Sequence, residues 1–371
     1  MSREPFTFYE FFAGGGMARL GLGPRWRCLF ANDIDPVKAA TYRANFDSAD
    51  FRQADVFDLT VDDLPGVADL AWASSPCQDF SLAGPRAGLA GGRSSAFFGF
   101  WRLIAALNAQ GRAPRSVVIE NVPGLLTSHG GADFAAVCAA LHTEGYRFGV
   151  VEADAASFLP QSRRRILVVG TRSSASPGGA CEGETPGVRR ARESLPAELR
   201  AAWIHWAPSA PRGRNLDLAA LLEPDDKVTW DEPGRTRRLL ALMDARHRAK
   251  VEAALGAPER RVGAVFLRIR GGAQRAEVRF DGVAGCLRTP RGGSSRQRLI
   301  FVQSGQVRSR LISPREAARL MGLPESYVLP QGANAALHVA GDGVATPVVR
   351  WLAENLLEPL LEVPAGLLAA E

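Results

Sequence analysis

FTFYEFFAGGGMARLGL, residues 6–22, runs from apolar and aromatic letters into three glycines and out again. FTFYEFF reads as a buried strand. The glycines let the backbone turn tightly and approach a ligand closely, and MARLGL opens a helix. A strand that ends in glycines and feeds a helix is the first unit of a nucleotide-binding α/β sheet.

The pattern repeats outward from there. WRCLFAND (26–33) is a second strand, followed by helical DPVKAATYRANF (35–46). VADLAWASS (67–75) is another strand, and SSAFFGFWRLIAALNAQG (94–111) has helical periodicity ending at a capping glycine. RSVVIENV (115–122) is a strand, ADFAAVCAALHTEG (132–145) a helix and RRILVVGT (164–171) a further strand. Strand–helix alternation at this spacing predicts an α/β fold with a doubly wound, mostly parallel sheet. Beyond Thr171 the pattern breaks. RSSASPGGACEGETPG (172–187) is linker-like, and residues 190–309 are arginine-rich with short strand-like pieces such as AVFLRIRG and QRLIFVQSG. Regularity returns at LISPREAARLMGL (311–323), with Ser313 as N-cap, Pro314 at the first helical position and Glu316 three residues on. A last amphipathic helix runs through PVVRWLAENLLEPLLE (347–362). The expected division is 1–171, 172–309 and 310–371: a large domain, a smaller irregular β-rich insertion, and a return to the first domain.

Composition narrows the class. The chain has 371 residues, 46% hydrophobic and 23% charged, with net charge +6. No uncharged apolar run reaches the ~18 residues of a membrane span, and the N-terminus has no signal-peptide core, so a cytoplasmic protein is expected. The five cysteines, Cys28, Cys77, Cys138, Cys181 and Cys286, are unpaired in spacing. That argues against a disulfide framework or a structural metal. Residues 172–309 hold 25 Lys+Arg against 15 Asp+Glu, while the rest holds 20 against 24. The whole positive excess therefore lies in the insertion, which points to a polyanionic partner or to a solubilising surface.

Candidate chemistry lies at the strand ends. Asp33, in NDIDP, follows the glycines by about 20 residues, where such folds place a carboxylate on ribose hydroxyls. A dinucleotide fingerprint would have glycine at position 19. Arg19 stands there instead, which favours an adenosyl ligand without a pyrophosphate. Cys77, in ASSPCQDFSLAG (73–84), follows a strand and a stiffening Pro76. Alone it reads as packed before it reads as a nucleophile, because no histidine is near to activate it. Glu120 changes that balance. It ends the neighbouring strand, so both side chains should face one cleft. In LPQSRRRILVVG (159–170), extended geometry puts Arg163 and Arg165 on one face and Arg164 on the other.

Taken in order, these segments resemble the C5-cytosine DNA methyltransferases. FFAGGGMARLGL is similar to the family's methyl-donor loop, NDIDP and ADVF to its adenosine-contacting segments, and SSPCQDFS to its Pro-Cys-Gln motif. IENV, PQSRRR, RSRLISPREAARLMGLP and GDGVATPVVRWLAENL resemble later motifs in the family's order. The resemblance covers most of residues 6–170 and 308–360. It implies a Rossmann-like methyltransferase fold and S-adenosylmethionine as donor, with S-adenosylhomocysteine as product and no metal. The expected reaction is methylation of carbon 5 of a cytosine flipped out of double-stranded DNA.

By the same resemblance Cys77 is the nucleophile, Glu120 engages the base, Arg165 with Arg163 in support lines the cysteine pocket, and Asn121 orders the strand. Phe12, Gly14, Gly16, Asp33, Ile34, Asp55, Val56, Pro76, Asp342 and Val344 match donor-binding positions, with Ile34 and Val56 flanking the adenine. Ser81 belongs to a loop that closes over DNA, and AGPRAGLAGGRSS (83–95) has the glycines of a lid. Ser81, Gln161, Arg288, Arg291, Arg296 and Arg298 are the expected DNA contacts, in or near a target-recognition domain at 172–309. The last motif reads Gly341-Asp342-Gly343-Val344 where the family has Gly-Asn-Ser-Val. Cys286-Leu287 stands nearest to the family's Thr-Leu pair. The implied enzyme is a monomer, at the nucleoid when it acts, with a cognate restriction endonuclease as a further partner. Two other readings stand beside it: a transfer-RNA methyltransferase on the same fold, disfavoured by the long basic insertion, and an inactive DNA-binding relative, disfavoured by the intact catalytic positions.

Overall fold

The computed structural model describes residues 4–47, 49–75, 95–173, 184–289 and 296–362. The chain forms two compact units: residues 1–153, 164–210 and 348–371, and residues 154–163 and 211–347.

The first unit is built on a seven-stranded sheet in the order β3-β2-β1-β4-β5-β7-β6. Its strands are β1 (Phe6–Phe11), β2 (Trp26–Asp33), β3 (Phe51–Gln53), β4 (Leu70–Ala73), β5 (Ser116–Asn121), β6 (Arg147–Asp154) and β7 (Arg164–Thr171). The helices α1 (Met17–Leu22), α2 (Pro36–Asn45), α3 (Ser95–Ala109) and α4 (Ala132–Thr143) fill the connections between them. Every residue of β4 and β5 is buried, as expected for strands covered on both faces. Alternate strand residues, including Tyr9, Phe11, Ala71, Ala73, Val117 and Ile119, join the apolar stripes of α3 and α4 in one core.

β1 pairs in parallel with β2 and β4, and β4 with β5, but β7 runs antiparallel to β5. β6 is not evident in the strand–helix alternation, which by itself suggests a parallel RRILVVGT. Only nine residues separate the end of β6 from the start of β7, fewer than the dozen or more a parallel crossover requires.

The second unit carries a four-stranded antiparallel sheet, order β11-β10-β8-β9. It comprises β8 (Arg261–Arg270), β9 (Ala273–Arg279), β10 (Arg298–Gln303) and β11 (Gln306–Leu311). Helices α7 (Pro233–Ala241) and α8 (Ala245–Leu255) supply Leu239, Val251 and Ala254 to its core. The insertion is thus more regular than its sequence suggests. Its boundaries also differ from those expected at 171 and 309. α5 (Pro186–Glu193) and α6 (Ala197–Ala201) pack into the core of the first unit, where Val188 and Leu199 are buried. α9 (Pro314–Leu320) belongs to the second unit, because Glu316 forms a fully buried ion pair with Arg310 of β11 at 2.6 Å. The predicted cap of α9 is present: Ser313 Oγ accepts from the Glu316 amide, and the Glu316 carboxylate accepts from the Ser313 amide. Beyond α10 (Ala333–Asp342), the final helix is continuous from α11 (Thr346–Leu352) to α12 (Glu358–Glu362), with a π-turn at Ala353–Leu357 between them.

Candidate functional site

Sheet register gathers the site. Phe11 of β1 lies opposite Asn32 of β2 and Ala73 of β4, Ala73 lies opposite Ile119 of β5, and Asp33 lies opposite Gln53 of β3. The residues just past these pairs, namely 12–16, 33–35, 54–57, 74–75 and 120–121, therefore share the carboxyl edge. The strand order reverses between β1 and β4, and ligands of open α/β sheets bind in the crevice at such a switch.

On the β1 side the chain turns sharply. Phe12, Gly14 and Gly16 have φ of 56°, 56° and 78°. A side chain is strained at such angles, which explains two of the glycines. They differ in what surrounds them. A Cβ on Gly16 would stand 2.3 Å from the Phe46 ring, whereas one on Gly14 would meet nothing within 4 Å. Gly16 thus serves packing, while Gly14 borders open space. The Gly14 amide donates to Asp33 Oδ2 and the Asp35 amide to Asp33 Oδ1, both at 2.9 Å. Burial raises the Asp33 pKa, opposed by Lys38 and these two amides. Each oxygen retains acceptor capacity. Asp35 does different work: it caps α2, accepting from the amides of Val37 and Lys38.

Arg19, in place of a third glycine, is a brace. Its guanidinium bonds Tyr42 Oη and Asp50 and lies 4.9 Å from the Phe46 ring centroid. Its amide donates to Glu10 Oε1 at 3.2 Å. Glu10 is fully buried, with Oε2 unbonded, and burial pushes its pKa up to about 8.

Ile34 is 61% exposed, directly after Asp33. Val56 is only 3% exposed and packs in the core. The reason is α3: Gly99 lets that helix close on Val56 and Phe57. The neighbour Phe57, 46% exposed, is the apolar surface on this loop, and the sequence reading passed over it. The signal was a large aromatic directly after Asp55-Val56. Asp55 itself accepts from the Phe57 amide at 3.1 Å.

On the β4–β5 side, Glu120 is buried and paired with Arg165, Nε to Oε1 at 2.8 Å. The antiparallel β7 is what allows this pair. Asn121 lies opposite Ile166, so the start of β7 reaches the carboxyl end of β5. In a parallel strand Arg165 would stand at the opposite edge. Asn121 Nδ2 donates to Ser75 Oγ at 3.2 Å and to the Ser75 carbonyl, while its Oδ1 accepts from the Val122 amide. Trp72 Nε1 donates to Ser74 Oγ at 3.0 Å. The chain leaving β4 toward residues 76–77 is thus held by two side chains. Pro76, Cys77, Ser81 and Arg291 lie outside the described residues.

Arg163 and Arg165 have different partners. Arg163 belongs to the second unit, almost fully buried, and donates to the carbonyls of Leu287, Gly341 and Gly343 at 2.7–3.0 Å and to Cys286 Sγ at 3.3 Å. Gln161, expected to touch DNA, is 0% exposed. Its amide bonds the Leu320 carbonyl and the Leu287 amide, so it is corrected to a packing residue. Arg298 is half-buried and its guanidinium pairs with the Asp231 carboxylate. Arg296 bonds Asn334, and Arg288 is exposed. Asp342 is exposed and accepts from Thr289 Oγ1 at 2.5 Å, and Val344 is buried. Both lie in the second unit.

The sequence model of the C-5 cytosine-specific DNA methylase family matches residues 6–196 and 272–358. The chain belongs to that family. Among curated proteins it is similar to the Type II methyltransferase M.NlaX of Neisseria lactamica, 28% identical over 96% of this chain and 98% of that one. It is also similar to M.HpaII of Haemophilus parainfluenzae, 26% identical over 96% and 91%, and to M.HhaI of Haemophilus parahaemolyticus, 24% identical over 94% and 93%. Solved structures share its fold. They include the S. pombe Dnmt2 methyltransferase, TM-score 0.60 and 18% identity over 96% and 99% of the two chains. A putative DNA modification methyltransferase encoded within an E. coli prophage has TM-score 0.59 and 19% identity over the same shares. The family and its full-length relatives make this a cytosine-5 DNA methyltransferase, and the transfer-RNA reading is not favoured. Among the described residues no helix is long and apolar enough to cross a membrane.

Proposed function

We propose that the carboxyl edge of the first unit holds S-adenosylmethionine beside a flipped cytosine, and that Cys77 attacks that cytosine. The observation that carries this reading is the Glu120–Arg165 pair at the end of β5, next to a β4 exit held by Asn121. Open space at Gly14, the buried Asp33 carboxylate and exposed Ile34 and Phe57 fit an adenosyl group. Gly14 admits the ligand to the backbone, Asp33 accepts from ribose hydroxyls, Asp55 lies on the adenine side, and Ile34 with Phe57, rather than Val56, supplies apolar walls. The donor supplies an electrophilic methyl group when bound.

Carbon 5 of cytosine is a weak nucleophile. The Cys77 thiolate forms a bond to carbon 6, and the ring electron pair moves to carbon 5. Glu120 binds the exocyclic amine and N3, which favours the electron-rich ring. Arg165 holds Glu120 in place and supplies positive charge near the thiolate. After carbon 5 gains the methyl group, its proton leaves, the sulfur–carbon 6 bond breaks and the ring double bond returns. Asn121 positions the Cys77 segment through Ser75. Gln161 and Arg163 act in the second unit as structural clamps.

The basic second unit is the target-recognition unit for duplex DNA, with Arg288, Arg291 and Arg296 as phosphate contacts, and Ser81 is a further DNA contact. The Type II names of the full-length relatives support a place in a restriction-modification system in the cytoplasm. The test is incubation with labelled donor and either duplex DNA or transfer RNA. Label in DNA cytosines is expected, and label in transfer RNA alone would sink the reading.

A further inference from the structure

Residues 54–69 join β3 to β4, and two arginines, one on α3 and one just past it, strap this connection down. At its start Asp55 makes a turn. The Asp55 carbonyl accepts from the Asp58 amide at 3.0 Å, and Asp55 Oδ1 accepts from the Phe57 amide at 3.1 Å. The carbonyls of Val56, Phe57 and Leu59 come together at Arg102 of α3. Its Nη2 lies 2.7 Å from the Leu59 oxygen, 3.2 Å from that of Phe57 and 3.5 Å from that of Val56. Carbonyl dipoles gathered at one point need a positive partner, and a guanidinium supplies it through charge-assisted bonds. Gly99, three residues earlier on the same helix face, sets the approach. A Cβ there would stand 2.7 Å from Val56 Cγ1 and 3.0 Å from Phe57 Cζ. Val56 and Leu59 are buried in this contact, while Phe57 stays exposed. At the far end Arg112 bonds the carbonyls of Leu64 and Gly66, the latter at 2.9 Å. Both arginines hold one connection, but Arg102 is the one that grips the turn carrying Asp55 and Phe57.

We propose that Arg102 is a positioning residue for S-adenosylmethionine, acting through the Asp55–Phe57 turn. The inference rests on the donor site put forward above. Phe57 can serve as an apolar wall only while its backbone is fixed. Without the guanidinium, the carbonyls of Val56, Phe57 and Leu59 lose their shared partner, and the turn samples other peptide orientations. The donor must then select the competent one, and that ordering cost is subtracted from its affinity. The buried side chains of Val56 and Leu59 still anchor the connection in the core, so losing Arg102 loosens the turn without unfolding the sheet. The chemical step depends on the ends of β4 and β5 and keeps its rate once donor is saturating. Arg112 cannot substitute, because it holds residues 64–66, where the connection returns toward β4.

The test is calorimetric titration of the full-length protein with S-adenosylmethionine, together with single-turnover transfer to a duplex library at saturating donor. Arg102→Ala is expected to raise the donor Kd about tenfold and to leave the saturated rate within about twofold of native. Arg102→Lys keeps the charge but not the planar fork, and should recover part of the lost affinity. Arg112→Ala should lower Tm and leave the donor Kd within about twofold of native, because its contacts lie away from the turn. A double-mutant cycle tests the route: with Phe57→Ala in place, Arg102→Ala should weaken binding little further. A native Kd in Arg102→Ala, an equal loss of affinity in Arg112→Ala, or full additivity with Phe57→Ala would each overturn the proposal. If Arg102→Ala does not fold, Arg102→Lys is put through the same cycle, and additivity there overturns it. A native protein that binds no S-adenosylmethionine overturns the donor site itself, and this proposal with it.

Discussion

Arg163 separates the structural from the chemical part of the PQSRRR segment. Arg163→Ala removes a buried guanidinium from three carbonyl oxygens at 2.7–3.0 Å and from Cys286 Sγ. Charge-assisted bonds contribute about 1.5–3 kcal/mol net each, and bonds that share one side chain do not add in full. Removing one side of a buried charged cluster costs about 3–5 kcal/mol in all, because the carbonyls stay buried without donors. For a unit of 147 residues that corresponds to a fall of roughly 10 °C in Tm. The assay is thermal unfolding combined with hydrogen exchange by mass spectrometry. Exchange protection should fall at 284–287 and 341–343 before it falls in β4 and β5. Below the melt, single-turnover methyl transfer should remain within a few-fold of the native rate. Native Tm and exchange with transfer lost a hundredfold would refute the reasoning and place Arg163 in the chemistry.

Other outcomes follow from the same geometry. Gly14→Ala should mainly raise the KM for S-adenosylmethionine, because its Cβ would enter open space at strained φ, whereas Gly16→Ala should mainly lower Tm through its clash with Phe46. Glu10 carries a pKa near 8 against 4.5 in a free chain, so the folded state keeps a proton that the unfolded state releases. Urea midpoints should therefore fall as pH rises from about 5 to 8 and level off above; Glu10→Gln should flatten that slope, and an unchanged slope would exclude Glu10 as its source. Arg165→Ala should slow transfer about a hundredfold and raise the pH at which Cys77 is alkylated, checked by single-turnover kinetics and iodoacetamide labelling, while donor binding measured by calorimetry stays near native.

The glycine turn, Asp33, the strand ending in Glu120 and the Ser313–Glu316 cap were all legible in the sequence, because each depends on contacts within a few residues or on strand-end position. Strand direction was not. β7 looks like any buried strand, and only its short connection from β6 reveals that it runs backward, yet that reversal is what brings Arg165 to Glu120. Alternation along RRR put Arg163 and Arg165 on one face, but distant backbone carbonyls at 287, 341 and 343 claim Arg163. Likewise Gln161 and Arg298 look like polar surface in the sequence, but both have partners far along the chain, and Gln161 is buried by them. Val56 is buried and Phe57 exposed where α3 closes on them at Gly99, which adjacent letters in the sequence do not reveal.

The central claim is that Cys77 bonds to the cytosine ring. A duplex library carrying 5-fluorocytosine, which has no carbon-5 proton to lose, tests it directly when mixed with the protein and S-adenosylmethionine. A denaturant-stable protein–DNA adduct mapped to Cys77 by mass spectrometry, and absent in Cys77→Ser, is the predicted result. An adduct on another residue, or DNA methylation that persists at the native rate in Cys77→Ser, would contradict the account.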